Sequence, residues 1–134
     1  RVDQFIQTRK DNFAYLKDRL KTCEEFLILP EATQNASPSW FGFPITLRES
    51  SPVSRVDLLG YLDQEKVGTR LLFAGNLTRQ PYMIGRNYRI SGELRNTDVV
   101  MNDTFWIGVQ PALSQDMLEF AVQKIEAYFG VNFF

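Results

Sequence analysis

The sequence predicts an α+β fold, a small and mostly antiparallel sheet with helices packed on it. Amphipathic helical patterns lie at both ends of the chain, and short apolar runs with the alternation of strands lie between them. With 134 residues, 44% of them hydrophobic, the chain can bury one core. We therefore expect a single domain over residues 1–134, made of a connector helix (residues 1–22) and a small domain (residues 23–134).

The first half of the chain predicts one helix and two strands. Residues 1–21 carry apolar side chains at helical spacing with charges between them, which indicates an amphipathic helix. Residues 25–29 are apolar and end before Pro30, which favours a strand followed by a polar loop. Residues 40–47 alternate apolar side chains on one face and form the second predicted strand. Pro44 cannot donate to a sheet ladder, so we expect this strand to lie at an edge or to be bulged there.

The second half predicts two capped helices around a long irregular segment. Residues 54–65 form a helix whose first residue, a serine, is the N-cap, and a short strand follows it. Residues 71–96 have little regular pattern, and a loop of that length inside a small domain is usually functional. Residues 105–109 are another strand. Ser114 then caps the last helix, which ends at Gly130.

Composition excludes several classes of function. A formal net charge of −1 argues against a general nucleic-acid binder or a protein of anionic membrane surfaces. No apolar run approaches the roughly 20 residues that span a bilayer. Cys23 is the only cysteine, so no internal disulfide can form, and this usage fits the cytoplasm. The chain has no histidine and no metal-ligand cluster, and its start at Arg1, inside a helical pattern, predicts a fragment of a longer protein.

A bias among the basic residues points to binding of an anionic ligand. No lysine lies between Val67 and Gln123, and residues 67–95 hold five arginines and one glutamate, a net charge of +4. The planar guanidinium matches phosphate and carboxylate oxygens in two-point contacts, which lysine cannot reproduce. For Arg70 and Arg79 we favour ligand binding, because they share their segment with Asn76, Thr78 and Gln80. For Arg86, Arg89 and Arg95 we favour surface ion pairs with acids elsewhere.

Two further residues leave their roles open, and two more are interpreted as structural. Asn102 either turns the backbone into the next strand or contributes to a site. Tyr82 can hydrogen-bond a sugar hydroxyl or simply pack. Trp106 is interpreted as core rather than as a stacking platform for a ligand, and Cys23 as a small buried residue.

The central motifs resemble those of one enzyme family. They are GTRLLFAGNLTRQPY (residues 68–82), YR (88–89), NTD (96–98) and MNDTFWIGV (101–109), preceded by PSWFGFP (38–44). Together they are similar to the C-terminal part of CDP-4-keto-6-deoxyglucose 3-dehydrases, in the DegT/DnrJ/EryC1/StrS sugar-aminotransferase family. The resemblance covers nearly the whole chain.

The resemblance implies the small C-terminal domain of a fold-type-I aminotransferase. Enzymes of this group use pyridoxamine 5'-phosphate, the amine form of pyridoxal 5'-phosphate, to remove the 3-hydroxyl of a CDP-linked 4-keto-6-deoxy sugar. A [2Fe–2S] cluster and a partner reductase deliver electrons, and the pathway makes dideoxy sugars for the O-antigen of lipopolysaccharide. By the same resemblance, the full enzyme is a homodimer, and a large domain absent from this fragment binds the cofactor and the cluster.

Because the family's catalytic histidine lies in that large domain, we assign no catalytic residue to this chain. The resemblance and the residue pattern together predict eight substrate-binding residues, namely Arg70, Phe73, Asn76, Thr78, Arg79, Gln80, Tyr82 and Asn102. The chain departs from the family's pattern at Gln110-Pro-Ala112, where we expect an aromatic residue followed by Pro-Gly. Because the domain that carries the catalytic histidine and the cofactor is absent, we expect the fragment alone to be inactive.

Two alternatives remain open from the sequence. One is a nucleotide-sugar aminotransferase of the same fold, which a Schiff-base lysine in the large domain would indicate. The other is a stand-alone regulatory domain that binds small anions.

Overall fold

The computed structural model describes residues 1–131 of the chain. In that part of the chain, four α-helices and four strands follow one another as α1 (Val2–Leu20), β1 (Leu27–Ile28), β2 (Phe43–Leu47), α2 (Arg55–Gln64), β3 (Thr69–Leu71), α3 (Arg95–Asp103), β4 (Thr104–Ile107) and α4 (Gln115–Tyr128). Short 3₁₀ helices lie at Lys21–Cys23, Leu77–Arg79 and Pro81–Met83. The last helix, which was predicted to end at Gly130, ends at Tyr128. The strand that was predicted over residues 105–109 ends at Ile107.

The four strands form one sheet in the order β1-β2-β4-β3, and every neighbouring pair is antiparallel. This confirms the predicted α+β class with an antiparallel sheet. In the pairing of β2 with β4, Ile45 lies opposite Phe105 and Pro44 lies opposite Trp106. On the other side of β4, Arg70 of β3 also lies opposite Trp106. Pro44, Trp106 and Arg70 therefore point to the same face of the sheet.

The other face of the sheet is buried beneath α1, α2 and α4. Side chains of those helices share one apolar cluster with alternate residues of β2 and β4, as the period of two in strands requires. The largest fully buried side chains include Leu16, Leu20, Leu27, Phe43, Ile45, Leu58, Leu62, Phe105 and Ile125. Cys23 is buried in the same cluster, as expected.

A polar cluster adds a second link between α1 and α4. The Tyr15 hydroxyl and the Arg19 guanidinium of α1 both donate to the Glu119 carboxylate of α4. Two turns further along α4, the buried Glu126 accepts a hydrogen bond of 2.9 Å from the Thr22 hydroxyl. Burial raises the pKa of Glu126 above its ordinary value. The predicted connector helix is thus part of the core and is bonded to the last helix.

Both predicted serine caps are present. The Ser54 hydroxyl accepts a hydrogen bond from the Asp57 amide at 3.2 Å, and the Ser114 hydroxyl accepts one from the Met117 amide at 3.3 Å. Each satisfies an amide that the first turn of a helix leaves without a partner. The predicted starts of α2 and α4 are therefore confirmed.

The predictions for the second strand need correction. It begins at Phe43 instead of residue 40, because Trp40 has a φ of 49° and its ring stacks on Phe13 at 3.8 Å instead of extending the strand. The strand is also internal to the sheet rather than at its edge. Proline is tolerated there because β1 pairs only with Thr46 and Leu47, so Pro44 lies beyond its end.

Helix α3 is the main element that the sequence did not predict. It occupies Arg95–Asp103, where we expected the end of a long loop followed by a polar cluster. Its N-cap residue, Leu94, makes no capping hydrogen bond through its side chain, and none of the helix residues is fully buried. Neither a cap nor a strong apolar stripe therefore marks this helix in the sequence.

Two glycines offer a test of the packing. A side chain at Gly42 would overlap the Trp106 ring, whereas a side chain at Gly60, on the exposed face of α2, would meet no atom within 4 Å. We expect Gly42→Ala to lower the free energy of unfolding by about 1–3 kcal/mol through overpacking. Gly60→Ala, the matched control, should raise it by about 0.5–1 kcal/mol, because alanine favours helix. Urea unfolding measures both, and an unchanged stability in Gly42→Ala would contradict the predicted contact.

Candidate functional site

The central loop (residues 72–83) follows β3 and contains six of the eight predicted binding residues. Three of them, Thr78, Arg79 and Tyr82, lie in its two short 3₁₀ turns. It is anchored at Gly75, which has a φ of +61°. Any side chain at Gly75 would overlap Met101 of α3. A glycine is required there for both reasons, because the left-handed conformation and the close approach each exclude a Cβ atom. The loop is thus packed directly against α3.

Asn76 holds the loop from inside and is only 2% exposed. Its side-chain oxygen accepts hydrogen bonds from the Thr78 amide at 3.0 Å and from the Thr78 hydroxyl at 2.7 Å. Its side-chain nitrogen donates to Asp98 of α3 at 2.7 Å. Asn76 therefore caps the first 3₁₀ turn and ties the loop to α3 at the same time.

Arg79 and Asp98 form a two-point ion pair. Nε and Nη2 of the guanidinium each donate to one carboxylate oxygen at 2.6 Å. The hydrogen bonds from Arg79 and then Asn76 lower the pKa of Asp98 from 3.8 to about 2. The same contact raises the pKa of Arg79. The Arg79 side chain is 58% exposed, so the three remaining N–H groups of its five are free to meet a ligand from solvent.

A further hydrogen bond closes the loop on itself, because the Gln80 side chain donates to the Ala74 carbonyl at 2.6 Å. Asn76, Thr78, Arg79 and Gln80 are therefore brought together by the fold. Their hydrogen-bond partners lie within the loop and α3, so these side chains shape the loop.

Other predicted binding residues face outward. Arg70 is exposed, and its side chain has no hydrogen bond or ion pair within residues 1–131. Phe73 is 81% exposed and Tyr82 is 59% exposed. Phe73 and Gln80 line a cavity of about 290 Å³ together with Asn102. The remaining predicted residues do not line that cavity.

Two residues of this region were not assigned from the sequence. Asp98 was noted only as part of a polar cluster, and its partner Arg79 lies 19 residues earlier. Arg55 donates through Nη1 to the carbonyls of Met101 and Thr104, at 2.7 and 2.9 Å, and so satisfies the end of α3. No regular spacing links either pair in the sequence.

The described residues do not fit an iron–sulfur cluster. They contain no group of three potential metal ligands among His, Cys, Asp and Glu. Cys23 is fully buried in the apolar core, which raises the pKa of its thiol, whereas cluster ligands are thiolates.

Four of the five lysines of the sequence have side-chain partners, in the pairs Lys10–Ser37, Lys17–Glu31, Lys21–Asp18 and Lys124–Glu65. The fifth, Lys66, is exposed.

Comparison with known families identifies the chain. Residues 1–126 match the model of the DegT/DnrJ/EryC1/StrS aminotransferase family. The chain belongs to this family. The matched range contains the central loop, α3 and most of α4, so the candidate site lies wholly within the family's shared region.

Two curated relatives match nearly the whole chain. The lipopolysaccharide biosynthesis protein RfbH of Salmonella typhimurium is 59% identical over 133 residues, which is 99% of this chain and 30% of the relative. The dTDP-4-dehydro-2,6-dideoxy-D-glucose 3-dehydratase of Saccharopolyspora spinosa is 38% identical over 128 residues, covering 96% of this chain and 28% of the relative. The chain thus spans less than a third of the length of these relatives.

A solved structure shows the same fold. The E. coli GDP-4-keto-6-deoxy-D-mannose-3-dehydratase with bound hydrated PLP aligns with a TM-score of 0.81 and 22% identity, covering 91% of this chain and 31% of that one. The sheet and helices therefore have the arrangement found in part of an aminotransferase-fold protein. Within residues 1–131, no helix is long and apolar enough to cross a membrane.

The ion pair of Arg79 with Asp98 predicts a pH-dependent stability. Because the folded state lowers the pKa of Asp98 to about 2 from 3.8, the carboxylate contributes stability above about pH 4 and loses it as the pH falls through 2. We expect Asp98→Asn to lower the free energy of unfolding at pH 7, and the difference from the parent to shrink between pH 4 and pH 2. Urea unfolding across pH 2–7 measures this difference.

Asp103→Asn is the matched control, since Asp103 ends the same helix and its side chain has no hydrogen bond or ion pair among the described residues. A parallel pH profile for the two variants would contradict a specific role of the Arg79–Asp98 pair.

Proposed function

We propose that this chain is the small C-terminal domain of a pyridoxamine-phosphate-dependent dehydrase. The full enzyme would remove the 3-hydroxyl of a CDP-linked 4-keto-6-deoxy sugar in the biosynthesis of O-antigen dideoxy sugars. The observation that carries the proposal is the 59% identity, over 99% of this chain, to a lipopolysaccharide biosynthesis protein. The match to a sugar 3-dehydratase supports the same class of reaction.

In this proposal, the domain binds and orients the substrate. Arg70 has its whole guanidinium available for the anionic part of a nucleotide sugar, since no described residue pairs with it. Arg79 is held by Asp98 along one edge and offers its remaining N–H groups in a fixed direction. Such preorganised positioning lowers the entropic cost of bringing the substrate to the reacting groups.

The smaller polar groups would complete the site. Asn76 and Thr78 keep the loop in its bound shape, while Gln80, Phe73 and Asn102 line the adjoining cavity. The exposed Tyr82 hydroxyl can donate to a sugar hydroxyl from the end of the loop.

Cofactors and partners would come from outside these residues. When bound by the large domain, pyridoxamine phosphate supplies the electron sink for loss of the hydroxyl. A [2Fe–2S] cluster on that domain and a separate reductase would supply electrons. We further propose a cytoplasmic homodimer with its active sites near the interface.

A nucleotide-sugar aminotransferase is the second candidate. It is favoured by the description of the matched family, which is that of aminotransferases. The two candidates differ in the bond they break: a dehydrase releases the 3-hydroxyl as water, whereas an aminotransferase replaces the 4-keto oxygen with an amine.

Incubation in ¹⁸O-labelled water separates the two reactions. With pyridoxamine phosphate and CDP-4-keto-6-deoxyglucose, the full-length protein should exchange the 3-hydroxyl with solvent, since loss and re-addition of water are reversible. Mass spectrometry locates the label at carbon 3 and separates it from spontaneous exchange at the carbon-4 ketone, which an enzyme-free sample shows. Formation of a 4-amino sugar from an amino donor, without label at carbon 3, would favour the second candidate.

Arg70 can be tested for substrate binding independently of folding. We expect Arg70→Ala in the full-length protein to lower kcat/KM by about 10- to 100-fold, since hydrogen bonds to charged groups contribute about 1.5–3 kcal/mol. Its stability should stay unchanged, because Arg70 has no partner in the described residues. Arg86→Ala is the matched control, an exposed arginine outside the predicted site, and should keep the parent's kinetics. Equal losses in both variants would indicate general electrostatics.

A further inference from the structure

Three aromatic side chains form an open patch beside Arg70, which we name the aromatic shelf (Phe41, Phe73 and Trp106). Phe41 is 68% exposed and Phe73 is 81% exposed. The Phe41 ring lies 5.0 Å from the Trp106 ring and 6.5 Å from the Phe73 ring, measured between centroids. The shelf lines an almost wholly apolar cavity of about 230 Å³. Large apolar side chains that are this exposed and this close together call for a partner.

The Phe41 side of the shelf is held in place from below. Trp40, with its φ of 49°, stacks on the buried Phe13 ring at 3.8 Å with the planes 2° apart. Nη1 of Arg9 donates to the Trp40 carbonyl at 2.9 Å and approaches the Phe41 carbonyl at 3.4 Å. The exposed ring of Phe41 therefore projects from a fixed backbone.

The Phe73 side is held by a tight turn. Phe73 also has a φ of 49°, which is unfavourable for a bulky residue. Its amide donates to the Leu71 carbonyl at 2.8 Å, and the Gly75 amide donates to the Leu72 carbonyl at 3.1 Å. Two residues with strained backbones, Trp40 and Phe73, thus line the same cavity, and strain of this kind clusters at ligand sites.

The charge beside the shelf indicates what it holds. Arg70 lies opposite Trp106 in the sheet and on the same face, with no partner among residues 1–131. A flat apolar surface with a free guanidinium at its edge complements a molecule that has a planar ring at one end and a phosphate at the other. Bases stack on aromatic side chains, and guanidinium groups bind phosphate oxygens in two-point contacts.

We propose that the aromatic shelf is the nucleobase subsite of this domain, with the diphosphate of the same nucleotide on Arg70. The inference rests on the proposed function for the presence of a nucleotide-linked substrate, and adds where the base binds. The cavity is smaller than the roughly 300–1,000 Å³ of pockets for whole drug-sized ligands, so it suits one heterocycle while the sugar extends toward the central loop.

Binding of CDP and of inorganic pyrophosphate to the full-length protein tests the subsite without requiring turnover. We expect Phe41→Ala and Phe73→Ala each to raise the Kd of CDP by about tenfold and to leave pyrophosphate binding unchanged. Arg70→Ala should weaken both ligands. Ile84→Ala, which removes an 83% exposed apolar side chain outside the shelf, is the matched control and should bind CDP like the parent.

Two further measurements separate base stacking from general apolar contact. Phe73→Leu keeps an apolar side chain without a ring, and its CDP affinity should stay reduced. Trp106→Leu in the full-length protein should likewise raise the Kd of CDP and leave pyrophosphate binding unchanged.

An unchanged Kd for CDP in both phenylalanine variants would overturn the subsite, as would full recovery in Phe73→Leu. A change of oligomeric state with unchanged CDP affinity, measured by light scattering, would also overturn it and assign the shelf to a contact between copies of the protein. If the shelf variants lose CDP but the parent shows no ¹⁸O exchange at carbon 3, the subsite stands and the proposed reaction fails. If the parent shows ¹⁸O exchange at carbon 3 but the shelf variants bind CDP normally, the proposed reaction stands and the subsite fails.

Discussion

The burial of one face of the four-stranded sheet beneath α1, α2 and α4 is the constraint on which the rest of the structure depends. Each large apolar side chain removed from water there contributes about 1.5–3 kcal/mol, and the alternation of strand residues sends Phe105 and Ile107 inward. The same alternation sends Trp106 outward, between Pro44 and Arg70. The core therefore determines which side chains of β2, β3 and β4 are available to a ligand.

The central loop shows a second use of the same framework. Its polar residues were predicted to bind substrate, and the structure gives Asn76 and Arg79 a common internal partner in Asp98. An internal partner and a binding role are compatible for arginine, because a carboxylate along one edge leaves the other N–H groups free. For the buried Asn76 they are not equally compatible, since both ends of its amide are already bonded. In the proposed site, Asn76 would therefore act through the shape of the loop.

How far the sequence predicts this molecule depends on whether the signal is local. The caps at Ser54 and Ser114 were predicted correctly because the hydroxyl bonds to an amide three residues away. Helix α3 was missed because its start, at Leu94, has no side-chain cap and its C-terminal end is held by Arg55, which is distant in sequence. The pairing of Arg79 with Asp98 was missed for the same reason. Composition indicated a site for an anion, but which arginine is free depends on the tertiary fold.

That distinction decides how charge can serve recognition here. Residues 67–95 carry a net charge of +4, and pairing with Asp98 neutralises one of those arginines at short range. The pair with Asp98 fixes the direction of the Arg79 guanidinium. It attracts a distant anion only weakly, because the carboxylate partly cancels the positive charge. The side chain of Arg70 has no partner among the described residues, and Arg70 lies beside the aromatic shelf. In the proposed site, attraction, orientation and shape recognition would thus fall to different side chains, and a substitution at each should affect a different step of binding.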